Sequence, residues 1–419
     1  MAHESLEPGR TVIYNLPTLP SDSLRTLEFS QFFRDYHGPR FLVRTGDGWS
    51  WPSPAPRSPE FVAVFRSRAD LDAVFGDRGE TQLSRTFLKG GLEIQGNIFA
   101  LLSVAEYTLL HAETLSNGLV HTLRHFAAEL PRRLLRGLAN TPPQNWRCLP
   151  CPLDLPLEFF EPWLGPQLAH LGGCFGSGQE PFETALDRAL DHACTAMELA
   201  AGERLLDVGC GWGSLLLHAA RVHGADALGV PSCPAQIDAA REQILANGSA
   251  DRCRVEARDL CSAPYPARSF DKIASLGIFE QVSSADLGKY LACLQRMLAP
   301  GGLALLDRLT PSRDSATHLC SVHPGLPSES LSKDLALAEA SGWELVGVEP
   351  LQRDCENTLR VWIDRLRQAQ TRTVSEAFRP AYRAWLFYLV EIATSLHAGE
   401  LQVHRVLLRR PRRTRSIVC

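Results

Sequence analysis

The run Leu205-Leu206-Asp207-Val208-Gly209-Cys210-Gly211-Trp212-Gly213-Ser214 decides the fold. Residues 204–208, apolar from 205 on around one acid, read as a buried strand. Residues 214–222 carry apolar side chains at helical spacing. The glycines between them permit a tight turn and let backbone N–H groups approach a ligand closely. A ligand held there lies at the carboxyl edge of a sheet, beside a helix N-terminus. Asp207, at the strand end, is placed to meet an ammonium group or the N–H groups of the turn.

Working outward, residues 182–199 have helical periodicity until Gly202 breaks it. Downstream, strands are expected at 227–230, 254–257, 271–276 and 302–307, with helices at 235–247 and 285–297. Strands alternating with helices imply an α/β fold, a parallel sheet covered on both faces. Glycine turn, acid and five strands together predict a class I, Rossmann-like domain binding S-adenosyl-L-methionine (SAM). Its cofactor contacts are expected at Asp207, Gly209, Cys210, Gly211, Trp212 and Gly213. A dinucleotide site wants GxGxxG, and here Gly213 and Ser214 follow Gly211, a poorer fit. A nucleotide-binding unit and a plain strand–helix turn stay open as alternatives. Gln236 opens the helix after the second strand and is expected at the ribose. Asp259, after the third, is placed to accept from the adenine amino group. Each also reads as an ordinary helix-start or loop polar residue.

A chain of 419 residues exceeds what one compact core usually holds, so two lobes are expected. Residues 1–140 read as a small N-terminal α+β domain, with strands at 41–44 and 61–65 and helices at 69–74 and 99–110. Residues 141–156, rich in proline and polar side chains, read as a linker. Residues 141–419 then form the methyltransferase domain with helical lid and C-terminal elements. A net charge of −4 gives no overall pull toward nucleic acid. Arg409, Arg410, Arg412, Arg413 and Arg415 crowd the C-terminus, read as a solvated tail or as a contact for anionic headgroups. No run approaches the ~18 apolar residues of a membrane span, and the N-terminus lacks a signal peptide's basic and apolar regions. A cytoplasmic protein is expected. Its twelve cysteines then act mostly as small buried residues. Cys148 and Cys151 form a CxxC without a second pair, and a closed zinc site needs four ligands, so no metal is expected.

These residues resemble the cyclopropane fatty acid synthase family, which includes the mycolic acid methyltransferases. The stretch 206–213 is similar to its LDIGCGWG. Asp271-Lys272-Ile273-Ala274-Ser275 through Phe279-Glu280-Gln281-Val282 resembles FDRIVS…FEHV, and Thr358-Leu359-Arg360-Val361-Trp362 resembles TLRxW. Phe87-Leu88-Lys89-Gly90 is similar to YMxG, in an N-terminal domain of longer members. Phe159-Phe160-Glu161 resembles the end of HYDLGNDFFE, and the likeness covers nearly the whole chain. The resemblance implies methyl transfer from SAM to a cis double bond of a phospholipid acyl chain. The resulting carbocation needs a dry, apolar pocket, and a base must remove a proton before a ring closes.

In the family that base is a bicarbonate held by Cys, Glu, His, Ile and Tyr. Residue by residue, the glutamate corresponds to Glu280. The other positions fall on Gly172, Asp307, Leu309 and Cys355, with Cys174 as a displaced cysteine. Ionised Asp307 accepts hydrogen bonds where a donor is needed. Two carboxylates beside a buried anion repel it, or one takes up a proton, so bicarbonate is not expected to bind here as in the family. The favoured reading is a SAM-dependent C-methyltransferase of lipid-like substrates, with Glu280, Asp307 and Cys355 as catalytic candidates and peripheral contact with membrane. An inactive SAM- or lipid-binding homologue and a methyltransferase of another small molecule are the alternatives.

Overall fold

The structure is a computed structural model describing residues 30–412, except 32, 53–54, 76–85, 101–102, 105–106, 108–154, 170–171, 177, 179, 261, 278–281, 283, 313–328 and 373–377. Among the described residues the strands form two sheets.

The first contains β1 (Phe41–Thr45), β2 (Ser50–Trp51), β3 (Phe61–Phe65) and β4 (Leu92–Gly96), in the order β2-β1-β3-β4. β1 and β3 run parallel, and the other pairs are antiparallel. The helix α1 (Arg68–Phe75) starts where the Ser67 hydroxyl accepts from the Asp70 N–H and donates to its carboxylate. The hydroxyl thereby satisfies one of the N–H groups that the first turn of a helix leaves without a backbone partner. Phe41 stacks on Phe61 with centroids 5.3 Å apart, at the centre of a core with Trp51, Phe65 and Leu71.

The second sheet carries the predicted α/β pattern. Its elements are α2 (Leu157–Leu164), α3 (Phe182–Ala196), β5 (Arg204–Val208), α4 (Ser214–Val222), β6 (Asp226–Val230), α5 (Ala235–Ala246) and β7 (Cys253–Val255). There follow β8 (Phe270–Ser275), α6 (Ser284–Met297), β9 (Leu298–Pro311), α7 (Leu331–Ala340), β10 (Glu344–Pro350), α8 (Gln352–Arg372), α9 (Arg379–His397) and β11 (Leu401–Arg409). The strand order is β10-β11-β9-β8-β5-β6-β7. Successive strand side chains point to opposite faces, and both faces are covered. Leu205, Ala227, Ala274 and Leu305 pack with residues of α2, α3, α4, α8 and α9. Leu206, Ile273 and Leu306 pack with Leu291, Leu294 and Ala338 of α6 and α7.

Two expectations need correction. The sheet is mixed, because β11 runs antiparallel between β9 and β10. The fifth strand is also much longer than 302–307. β9 pairs with β8 on one side and along nine residues of β11 on the other, which holds it extended from Leu298 to Pro311. Most of the linker 141–156 and of the helix 99–110 lies outside the described residues.

The smaller sheet sits on α8 and α9. Arg383 donates to the Phe87 carbonyl at 2.7 Å, Arg367 to that of Ile94 at 3.3 Å, and Arg360 lies 4.9 Å over the Phe99 ring. In the arginine-rich tail, Arg410 donates to the carbonyls of Arg296 and Leu298 and so closes the end of the sheet. Arg413 and Arg415 lie outside the described residues. Among the described residues no helix is long and apolar enough to cross a membrane.

Candidate functional site

Gly209, Gly211 and Gly213 have φ of +80°, +55° and +91°, conformations that glycine adopts without steric cost. They carry the chain from β5 into α4, whose N-cap is Gly213. The Gly209 and Cys210 N–H groups donate to the Val230 carbonyl at 2.8 and 3.4 Å, tying the turn to the end of β6. Trp212 is buried with its ring 4.9 Å from Phe160, which in turn packs against Trp163 and Trp385. Gly229 of β6 supports the turn from below. A Cβ there would stand 2.5 Å from Cys210 Sγ and 2.6 Å from Leu216 Cδ1.

Two acceptors face this turn. Asp207 is buried, and burial pushes its carboxyl up to about 7. Gln236 is 1% exposed, and its Oε1 has no hydrogen-bond partner. Its Nε2 lies 3.9 Å from where a Gly211 Cβ would be. A buried carboxylate and a buried amide oxygen suit a ligand bringing a cation and hydrogen-bond donors, as the amino-acid end and ribose of SAM do. Asp259 accepts from the Ser262 hydroxyl at 2.9 Å, which holds the turn after β7.

Asp207 makes stability depend on pH. The folded, unliganded chain holds the Asp207 proton more tightly than an unfolded chain does. The stabilisation is therefore full below the ordinary value of 3.8 and is lost as pH rises from there to about 7. Urea denaturation across this window is expected to show falling stability, with the slope reduced in Asp207→Asn. Equal slopes would contradict the assignment.

A second site opens at the carboxyl edge of the same sheet. Asp207 is level with Ala274, and Ala274 with Leu305. Asp307 is thus two strands across and two residues farther along, about 12 Å away. A cavity of about 140 Å³ is bounded there by Gly172, Asp307, Leu309 and Cys355, four of the five positions read from the sequence as those of the family's anion cage. Leu351, Leu359, Trp362, Leu389, Ile392 and Val403 give it apolar walls, and Cys174 also lines it. Burial pushes the Cys174 thiol up, so it stays protonated and poorly nucleophilic. Thr358 fixes the rim: its hydroxyl accepts from the Gly173 N–H at 2.9 Å and donates to the Asp354 carbonyl at 2.7 Å. The Asp354 carboxylate accepts from the Phe175 N–H at 3.0 Å.

Asp307 has a partner that sequence reasoning missed. Both its oxygens accept from Arg405, Nε at 2.8 Å and Nη2 at 3.0 Å, and both side chains are buried. The cavity carboxylate is therefore charge-balanced, which revises the picture of two free carboxylates repelling an anion. Arg405 Nη1 is also 3.3 Å from His192 Nδ1, which lies 3.7 Å from Glu349. A signal was present: Arg405 stands in the apolar run Val403–Leu408 as Asp307 stands in Leu303–Leu309. Charges in buried strands need partners; the neighbouring Arg308 takes Asp334, which leaves Asp307 to Arg405. Glu280, Cys148 and Cys151 lie outside the described residues.

The family profile "Mycolic acid cyclopropane synthetase" matches residues 142–406, more than half of the chain. A Pseudomonas putida protein described as "Probable fatty acid methyltransferase" is 26% identical over 349 residues, 79% of this chain and 82% of its own. The cyclopropane-fatty-acyl-phospholipid synthase of Escherichia coli K12 is 25% identical over 273 residues, 61% of this chain and 66% of its own. The solved cyclopropane synthase MmaA2 of Mycobacterium tuberculosis superposes with a TM-score of 0.56 at 21% identity, covering 61% of this chain and 95% of its own. Coclaurine N-methyltransferase gives 0.58 at 17% identity, covering 78% and 97%. The fold is that of class I SAM-dependent methyltransferases.

Proposed function

The chain belongs to the mycolic acid cyclopropane synthetase family, and from that premise we propose that it is a SAM-dependent C-methyltransferase modifying an unsaturated acyl chain of a lipid. The observation that carries the reading is the convergence of Gly172, Asp307, Leu309 and Cys355 on one apolar-walled cavity at the same sheet edge as the glycine turn. Asp207, the 209–213 turn and Gln236 would hold SAM, with Asp259 toward its adenine. When bound, SAM supplies an electrophilic methyl group.

The residues of the chain do the rest. Leu309, Trp362 and Leu389 keep water from a cationic centre on the acyl chain, which water would otherwise trap. Asp307 supplies a fixed carboxylate in the cavity where the family holds a bound anion. Arg405 occupies one lone pair on each of its oxygens, and the remaining ones can take a proton. Bicarbonate is then not required. Glu280 and Cys355 complete the catalytic set in this reading. Residues 1–140 form a smaller unit assisting lipid binding, since its sheet rests on α8 and α9, the helices that bring Trp362 and Leu389 to the cavity. The cytoplasmic protein meets the membrane only peripherally.

Expression in cells rich in unsaturated phospholipids tests the proposal. Mass spectrometry is expected to find acyl chains carrying one added CH₂. Asp307→Asn is expected to lose about 100-fold or more of that activity, the lower range for removing a general base. Unchanged acyl chains, with the protein shown to bind SAM, would contradict the lipid reading. Full activity in Asp307→Asn would remove that residue from the role.

A further inference from the structure

On the flank of the α3–α4 pair, Asp191 of α3 meets His218 of α4 and His223, the residue capping the end of α4. His223 Nε2 stands 3.0 Å from Asp191 Oδ1, and His218 Nε2 stands 3.5 Å from the same oxygen. All three ligand atoms lie within 4.8 Å of one another. Tetrahedral zinc, with bonds of about 2.0–2.1 Å, holds neighbouring ligand atoms about 3.3 Å apart. The two observed separations straddle that value.

A hydrogen-bonded His–Asp pair accounts for His223 alone. It leaves unexplained why a second imidazole turns its Nε2 to the same oxygen. That nitrogen is buried and has no hydrogen-bond partner, and 3.5 Å is long for one.

We propose that Asp191, His218 and His223 form a divalent transition-metal site, with Zn²⁺ the ion best suited to two imidazoles and one carboxylate. The Asp191 side chain is 54% exposed, so water can take the fourth position. Bound metal would clamp α3, which brings Ala189 and His192 to the cavity, against α4, which begins at the glycine turn. The site is independent of the lipid reading.

The test uses the full chain, stripped with a chelator, with Cys148 and Cys151 both changed to Ser so that the CxxC cannot take the ion. Calorimetry with Zn²⁺ is expected to show one equivalent bound, and saturation to raise Tm by about 5 °C. Co²⁺ is expected to give a d–d spectrum without a thiolate charge-transfer band. His223→Ala and, separately, Asp191→Asn are expected to weaken binding by about tenfold or more while S-adenosylhomocysteine binding persists, which shows that they fold. No zinc-dependent change in the parent chain, unchanged zinc affinity in both variants, or a thiolate band with Co²⁺ would each overturn the proposal.

Discussion

Asp307→Ala is expected to destabilise the fold by about 3–5 kcal/mol, the usual cost of leaving one charge of a buried pair alone. Asp307 and Arg405 are cross-strand partners on β9 and β11, joined by two charge-assisted hydrogen bonds, with side chains 9% and 5% exposed. Removing the carboxylate strands a guanidinium whose near neighbours are His192 and Glu349. Arginine does not shed its proton to escape such a site. The double variant Asp307→Leu/Arg405→Met removes both charges at similar volume and is expected to recover most of the loss, because a buried pair contributes little net stability over an apolar replacement. Urea denaturation of both variants measures this. A single variant within about 1 kcal/mol of the parent, or a double variant no better than the single, would mean that solvent reaches the pair.

The second large effect is expected at Gly229, where φ is ordinary and the constraint is space. Gly229→Val would drive a branched side chain into Cys210 Sγ and Leu216 Cδ1, which a single Cβ already meets at 2.5 and 2.6 Å. Cys210 belongs to the glycine turn, and the adjacent Val230 carbonyl anchors it. The turn must therefore move. Overpacking of up to about 3 kcal/mol corresponds to about 100-fold in affinity, and that loss is expected for SAM in calorimetry. Gly211→Ala is the contrasting case. There the nearest atom to a new Cβ is 3.9 Å away, but φ is +55°. Its effect is expected to be smaller, about the 1–2 kcal/mol of left-handed strain. Equal SAM affinity in the parent and Gly229→Val would show that the cofactor does not depend on this turn.

These effects also divide what the sequence disclosed from what it withheld. Strand β5, the turn and helix α4 were legible to the residue, because strand, glycines and helix are each dictated locally. Gly172, Asp307, Leu309 and Cys355 were legible as one site through the family resemblance, although Gly172 and Cys355 are 183 residues apart. The length of β9 and the antiparallel β11 were not, since both depend on pairing between segments about 100 residues apart. The Asp307–Arg405 pair escaped for the same reason: each charge was visible in its own strand, and the register that joins them was not. The His218–His223–Asp191 cluster was invisible because no short motif spaces those ligands.

The central claim is that this chain moves a methyl group from SAM onto an unsaturated acyl chain. The most direct measurement incubates purified protein with SAM labelled with ¹³C in its methyl group and with vesicles of a phospholipid carrying a cis-unsaturated chain. Mass spectrometry and NMR of the released acyl chains are expected to find the labelled carbon bonded at the former double bond. Lipid carbon free of label, while S-adenosylhomocysteine accumulates or SAM remains bound and unconsumed, would contradict the claim.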